Sequence, residues 1–198
     1  MQRRTSSLIT AWTLALVCAG SAAAEAPARQ PAPARQPAQA PAPAYRVETL
    51  TLTPQPVLTM RAQVAPAELE ARMKELMPRL VAHAMMNGIE LAGPPFARYF
   101  ERSAERVDFE AGIPTLKAQP GNAALGITAG ELPAGPALAT EHRGPYERLP
   151  EAHAALARWA RANGKQPGGA VWEVFLTNPV QEREQSRWRT KVFLPLAR

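Results

Sequence analysis

Residues 171–179 read Val171-Trp172-Glu173-Val174-Phe175-Leu176-Thr177-Asn178-Pro179. The run is rich in β-branched and aromatic residues and closes on an Asn-Pro turn signal, which predicts a buried strand. Side chains alternate along a strand, so Val171, Glu173 and Phe175 share one face and Trp172, Val174 and Leu176 the other. If the first face lines a cavity, that cavity has apolar walls and one carboxylate, the chemistry of a pocket for a cationic or polarised ligand or of a site with a carboxylate base. A glutamate on the solvated face of a half-buried sheet is the plainer alternative.

The chain around this stretch has 198 residues and a formal charge of +6. Arg3 and Arg4, an apolar run over residues 8–19 and the small residues Ser21-Ala22-Ala23-Ala24 predict a secretory signal over residues 1–24. The apolar part is shorter than the roughly 20 residues of a membrane span, so an uncleaved or acylated N-terminus is the minor reading. Cys18, the one cysteine, falls inside this segment, and a cleaved chain would hold no disulfide. Residues 25–44 are nearly all Ala, Pro, Gln and Arg; they cannot build a core and read as a disordered linker. Without Arg3 and Arg4 the charge falls from +6 to +4, with no basic run, which argues against a nucleic-acid partner. Export predicts a periplasmic or secreted protein, touching a membrane only through an N-terminus left in place.

Residues 45–198 have the composition and size of one globular domain. Residues 47–52 and 56–64 read as strands. Residues 66–87 read as a helix, with Leu69, Met73, Leu76, Leu80 and Ala84 at helical spacing, Asn87-Gly88 as its stop, and Pro78 expected to kink or divide it. Residues 96–101 and 106–112 read as antiparallel strands. The order then recurs: a strand at 136–141, a helix at 149–163 stopped by Asn163-Gly164, and strands at 171–176 and 188–194. Residues 121–135, rich in Gly and Pro, read as a connection with some strand near 125–128. The fold class is α+β: two strand-helix-strand-strand units in a pseudo-twofold antiparallel sheet with two helices and a central cleft. Setting Asn87-Gly88 on Asn163-Gly164 brings residues 93–100 beside 168–175, with Arg98 against Glu173.

Three segments in this order and spacing, Gly93-Pro94-Pro95-Phe96-Ala97-Arg98-Tyr99, Glu141-His142-Arg143-Gly144-Pro145-Tyr146-Glu147 and residues 172–179, resemble the GyrI-like effector-binding domains. These are the ligand-sensing modules of bacterial multidrug-responsive regulators, also found free-standing. The resemblance covers nearly all of residues 45–196 and implies a small-molecule ligand and an acidic pocket residue at Glu173. It departs from the regulators in having only signal and linker before Tyr45, where no helix-turn-helix fits.

Glu173 is therefore the leading candidate for ligand recognition, because a buried carboxylate costs several kcal/mol unless paired. Arg98 on the same cleft would neutralise it and favour neutral or zwitterionic ligands; on the surface it would only pack its stem. Tyr146, in a Gly-Pro-Tyr turn, can offer a ring face to a cation, or merely pack that turn. Phe175, Phe96 and Trp188 are candidate walls, with core packing as the plainer role. His83, His142 and His153 lack metal-ligand spacing, and no metal or cofactor is expected. Two further readings stand beside ligand binding. Some free-standing relatives hydrolyse strained electrophilic rings, which would make Glu173 a general base, with Tyr146 or Trp172 orienting the substrate. SOUL-type haem-binding domains share a similar duplicated unit, which raises tetrapyrrole binding.

Overall fold

The computed structural model describes residues 45–197. The proposed signal (1–24) and linker (25–44) lie outside the described residues. The elements are β1 (Glu48–Leu52), β2 (Gln55–Val64), α1 (Leu69–Met86), β3 (Phe96–Arg102), β4 (Val107–Pro114), β5 (Thr128–Leu132), β6 (Gly135–Arg143), α2 (Leu149–Ala162), β7 (Val171–Phe175) and β8 (Arg189–Pro195). The fold is α+β: two strand-helix-strand-strand units, each extended at its start by a further strand, β1 or β5, build one antiparallel sheet.

The first three elements of each half recur at one constant spacing. β1 and β5, β2 and β6, and α1 and α2 each begin 80 positions apart, at Glu48 and Thr128, Gln55 and Gly135, Leu69 and Leu149. Helix α1 has 18 residues and α2 has 14, a difference of about one turn, so the offset falls to 76 at the helix stops while the chain leaves each helix in the same direction; the longer connection after β7 then sets the starts of β4 and β8 82 positions apart. Both helices end at Asn-Gly, and Gly88 and Gly164 both adopt φ 62°, the left-handed conformation that glycine takes without steric cost. Pro78 lies within α1 without dividing it. The Gly- and Pro-rich connection holds a 3-10 turn at Ala123–Leu125 and then β5, which meets the strand expected around 125–128 only at Thr128 and continues to Leu132.

The strands run β1-β6-β8-β7-β3-β4-β2-β5, which puts the pseudo-twofold between β7 and β3. This order forces the sheet to curl. β1 and β2 are six places apart, about 29 Å in a flat sheet, yet only Thr53 and Pro54 join them, a reach of at most about 11 Å. Pro133 and Ala134 join β5 to β6 under the same constraint. The concave side is filled by Val57, Phe96, Leu132 and Trp172, with Leu52, Val174 and Phe193 packed against them. Trp172 and Phe193 stack with centroids 5.2 Å apart.

The helices lie on the convex side. Helix α1 buries Leu76, Leu80 and Ala84 on β2 and β4, and α2 buries Leu149, Ala152, Leu156 and Ala160 on β6 and β8. Each covers a lateral pair of strands, and the convex curvature separates them. The central strands β3 and β7 are left as the floor between two cores.

Candidate functional site

Glu173 points from β7 into this floor. Residues 171, 173 and 175 face the helices, and Trp172 and Val174 face the concave side, as alternation requires. The carboxylate is only 1% exposed, and its surroundings satisfy it. The Tyr99 hydroxyl donates to Oε2 at 2.8 Å, His153 Nε2 meets Oε1 at 2.6 Å, and an Arg102 guanidinium nitrogen stands 3.6 Å from Oε1. Burial, and next the charge of Glu173, push the Tyr99 phenol well above its usual 10, so it stays a donor. The Arg102 guanidinium lies 4.6 Å from the Tyr99 ring centroid, covering its face.

Arg102 reaches this side of the sheet through a bulge. Strict alternation in β3 would send residues 96, 98, 100 and 102 to the concave face. The β3–β4 register instead shifts between Tyr99 and Glu101, and Arg102 pairs with Val107, a residue of the α1 core. One extra residue in a strand re-aims everything beyond it.

Arg98 is not the partner expected for Glu173. In the β3–β7 ladder Ala97 lies opposite Glu173, and Arg98 opposite Trp172. Arg98 therefore points to the concave side, where it pairs with Glu110 at 2.5 Å and donates to the Glu131 carbonyl at 3.3 Å. The strands keep the 76-residue offset of the two Asn-Gly stops, and matching Gly93 with Gly168 slips it by one; a slip of one exchanges the faces. Phe96 is displaced for the same reason: it lies under Trp172 in the concave core, with Gly112 beneath its ring, and lines no part of the cleft.

The other three aromatic candidates do meet. Tyr146 packs edge-on to Phe175 at 5.5 Å between centroids and tilted against Trp188 at 4.7 Å. Burial, helped by the Glu173 charge, pushes the Tyr146 phenol up to about 12. Trp188 is anchored by its indole N–H on the Glu182 carbonyl at 2.7 Å. The turn that presents Tyr146 is set by His142, whose Nε2–H donates to the Pro145 carbonyl at 3.1 Å, leaving Nδ1 to accept from the Tyr45 hydroxyl at 2.8 Å. Gly144, at φ 126°, makes the turn possible.

An open depression of about 480 Å³ lies beside His153, between β3, the start of α2 and the segment entering β7, lined by Tyr99, Arg102, Pro150, His153, Ala170 and Val171 among others, while Tyr146, Phe175 and Trp188 lie outside its lining. Sequence reading missed Tyr99, Arg102 and His153. Tyr99 was within reach, since the 76-residue offset makes it the counterpart of Phe175; the bulge and the placement of α2 carry no comparable local signal. Among the described residues no group of three His, Cys, Asp or Glu side chains is placed to hold a metal, and no helix is long and apolar enough to cross a membrane.

A duplicated, curled sheet whose helices part over one buried carboxylate defines a small-molecule-binding domain. The family model for the GyrI-like small molecule binding domain matches residues 45–197, and the chain belongs to that family. No curated protein matches it by sequence. Among solved structures, the EcmrR C-terminal domain superposes with TM-score 0.69 at 20% identity, covering 78% of this chain and 98% of that one. A hydrolase from Listeria innocua gives 0.52 at 11%, covering 77% and 92%. SAV2435 bound to tetraphenylphosphonium gives 0.52 at 6%, covering 78% and 94%.

Proposed function

We propose that the domain is an exported module, periplasmic or secreted, that binds lipophilic cations in the cleft between α1 and α2 with Glu173 as the recognition acid. The observation that carries this reading is the position of Glu173: a buried carboxylate on the cleft floor, two residues along the same strand face from Phe175 and its partners Tyr146 and Trp188. Aromatic faces and a desolvated anion together suit a large, weakly hydrated cation. SAV2435, with the same fold, is a structure bound to such a cation. The partner is a small molecule; nothing in the charge of the chain calls for nucleic acid. Calorimetry with tetraphenylphosphonium should show Glu173→Gln weakening binding by more than about tenfold, the scale of one lost charge-assisted contact. Equal affinities would end the charge-pairing reading. N-terminal sequencing of protein recovered from cells should begin at Glu25 if residues 1–24 are an export signal.

One observation favours a second reading. His153 and Glu173 form an imidazole–carboxylate pair at 2.6 Å beside an open depression, an arrangement suited to activating water. Hydrolysis of an electrophilic cyclopropane that multiplies with time and stops in Glu173→Gln would establish it; stoichiometric binding without product would not.

A further inference from the structure

Glu173 is already occupied by three groups of its own chain, and a ligand cation has to take the place of one of them. Tyr99 is 6% exposed and packed in the α1 core against Phe109, with ring centroids 6.3 Å apart. It cannot leave without unpacking that core. Arg102 stands back at 3.6 Å. His153 is in full contact with the carboxylate at 2.6 Å, yet its side chain is 19% exposed and lines the depression. A change of rotamer on α2 carries it outward.

We propose that His153 is a built-in occupant of the ligand-binding carboxylate, and that cations enter by displacing it, so that ligand affinity is coupled to the protonation of this imidazole. The inference rests on reading Glu173 as the recognition acid and adds how access to it is controlled.

His153 meets Glu173 from β7; the titratable and charged groups around that pair are Tyr99 and Arg102 from β3, Tyr146 from the turn before α2, and Glu101 of β3, which lines the same depression and pairs with Arg106. Both phenols are held neutral, and the guanidinium keeps its charge throughout. Imidazole is the side chain whose charge changes in the neutral range. A protonated ring holds Glu173 as an ion pair and sets a positive charge where the ligand cation must sit. A neutral ring holds it by a single hydrogen bond. Cation affinity therefore rises with pH, and each cation bound releases up to one proton.

The test uses the full chain, tetraphenylphosphonium as the probe, and calorimetry in two buffers of different ionisation enthalpy. The wild type should bind roughly fivefold or more tighter near pH 8 than near pH 6, within the tenfold per pH unit allowed to one exchanged proton, and should release protons. His153→Gln keeps an uncharged donor, and its affinity should lose the pH dependence. Binding by His153→Ala where the wild type shows none would support displacement equally. A slope unchanged in His153→Gln, or absent from a wild type that does bind, would overturn it. Undiminished binding by Glu173→Gln would instead remove the recognition-acid reading beneath it, and absence of binding by both the wild type and His153→Ala would overturn both.

Discussion

Ala97 of β3 lies directly opposite Glu173 of β7 in the central ladder, and the 76-residue offset makes the same two residues counterparts in the repeat. The pseudo-twofold passes between a methyl group and a carboxylate. Directly paired strand residues have Cβ atoms about 5 Å apart, a distance at which two buried carboxylates would repel. The duplicated scaffold therefore carries a single charge on its axis, with space beside it that Ala97 leaves empty and Tyr99 and His153 fill.

Tyr99→Phe removes the donor to Oε2 without changing the shape of the core. It should cost about 1–3 kcal/mol of stability, the usual penalty for stripping a buried charged group of a partner. In a Glu173→Leu background the same substitution should cost much less, since no carboxylate remains to be satisfied. Urea unfolding of the four proteins measures the difference. Equal costs in both backgrounds would mean that the hydroxyl does not act through Glu173.

Tyr146 makes stability depend on alkaline pH. Its phenol ionises near 10 in an unfolded chain and near about 12 in the fold, because burial and then the Glu173 charge disfavour the phenolate. As pH rises the unfolded chain gives up this proton first. The contribution is thus whole below about pH 10 and is lost between about 10 and 12. Tyr99, also raised, adds to the same loss. Denaturation midpoints across this range should fall less steeply in Tyr146→Phe than in the wild type; parallel curves would contradict the assignment.

Gly112 lets β4 pass beneath Phe96 on the concave side. A Cβ there would stand 2.2 Å from the Phe96 ring. Gly112→Ala should cost about 1–3 kcal/mol, as overpacking of a filled core does. Adding Phe96→Leu should recover part of that loss, and thermal unfolding of the single and double variants checks it. Additive losses would place the clash elsewhere.

Much of the molecule is legible in its residues. Alternation across 171–175 places Glu173 and Phe175 on one face, and the paired Asn-Gly stops disclose the duplication. β5 is expected too early, around 125–128, because Thr128-Ala129-Gly130-Glu131-Leu132 has weak strand character and lies at an exposed edge, where pairing with β2 makes it a strand. Arg98 and Phe96 are misplaced by a single position, since glycine matches in the loops outweigh the offset that the strands keep.

The sequence by itself determined the repeat, the ends of the helices and the strand that bears the carboxylate, because these follow from periods and turn residues that act within a few positions. Only the tertiary structure decided which groups hold that carboxylate. Arg102 arrives through a bulge seen in pairing with β4, and His153 through the seating of α2 on β6 and β8. Both depend on contacts between segments far apart in the chain, which local pattern does not encode.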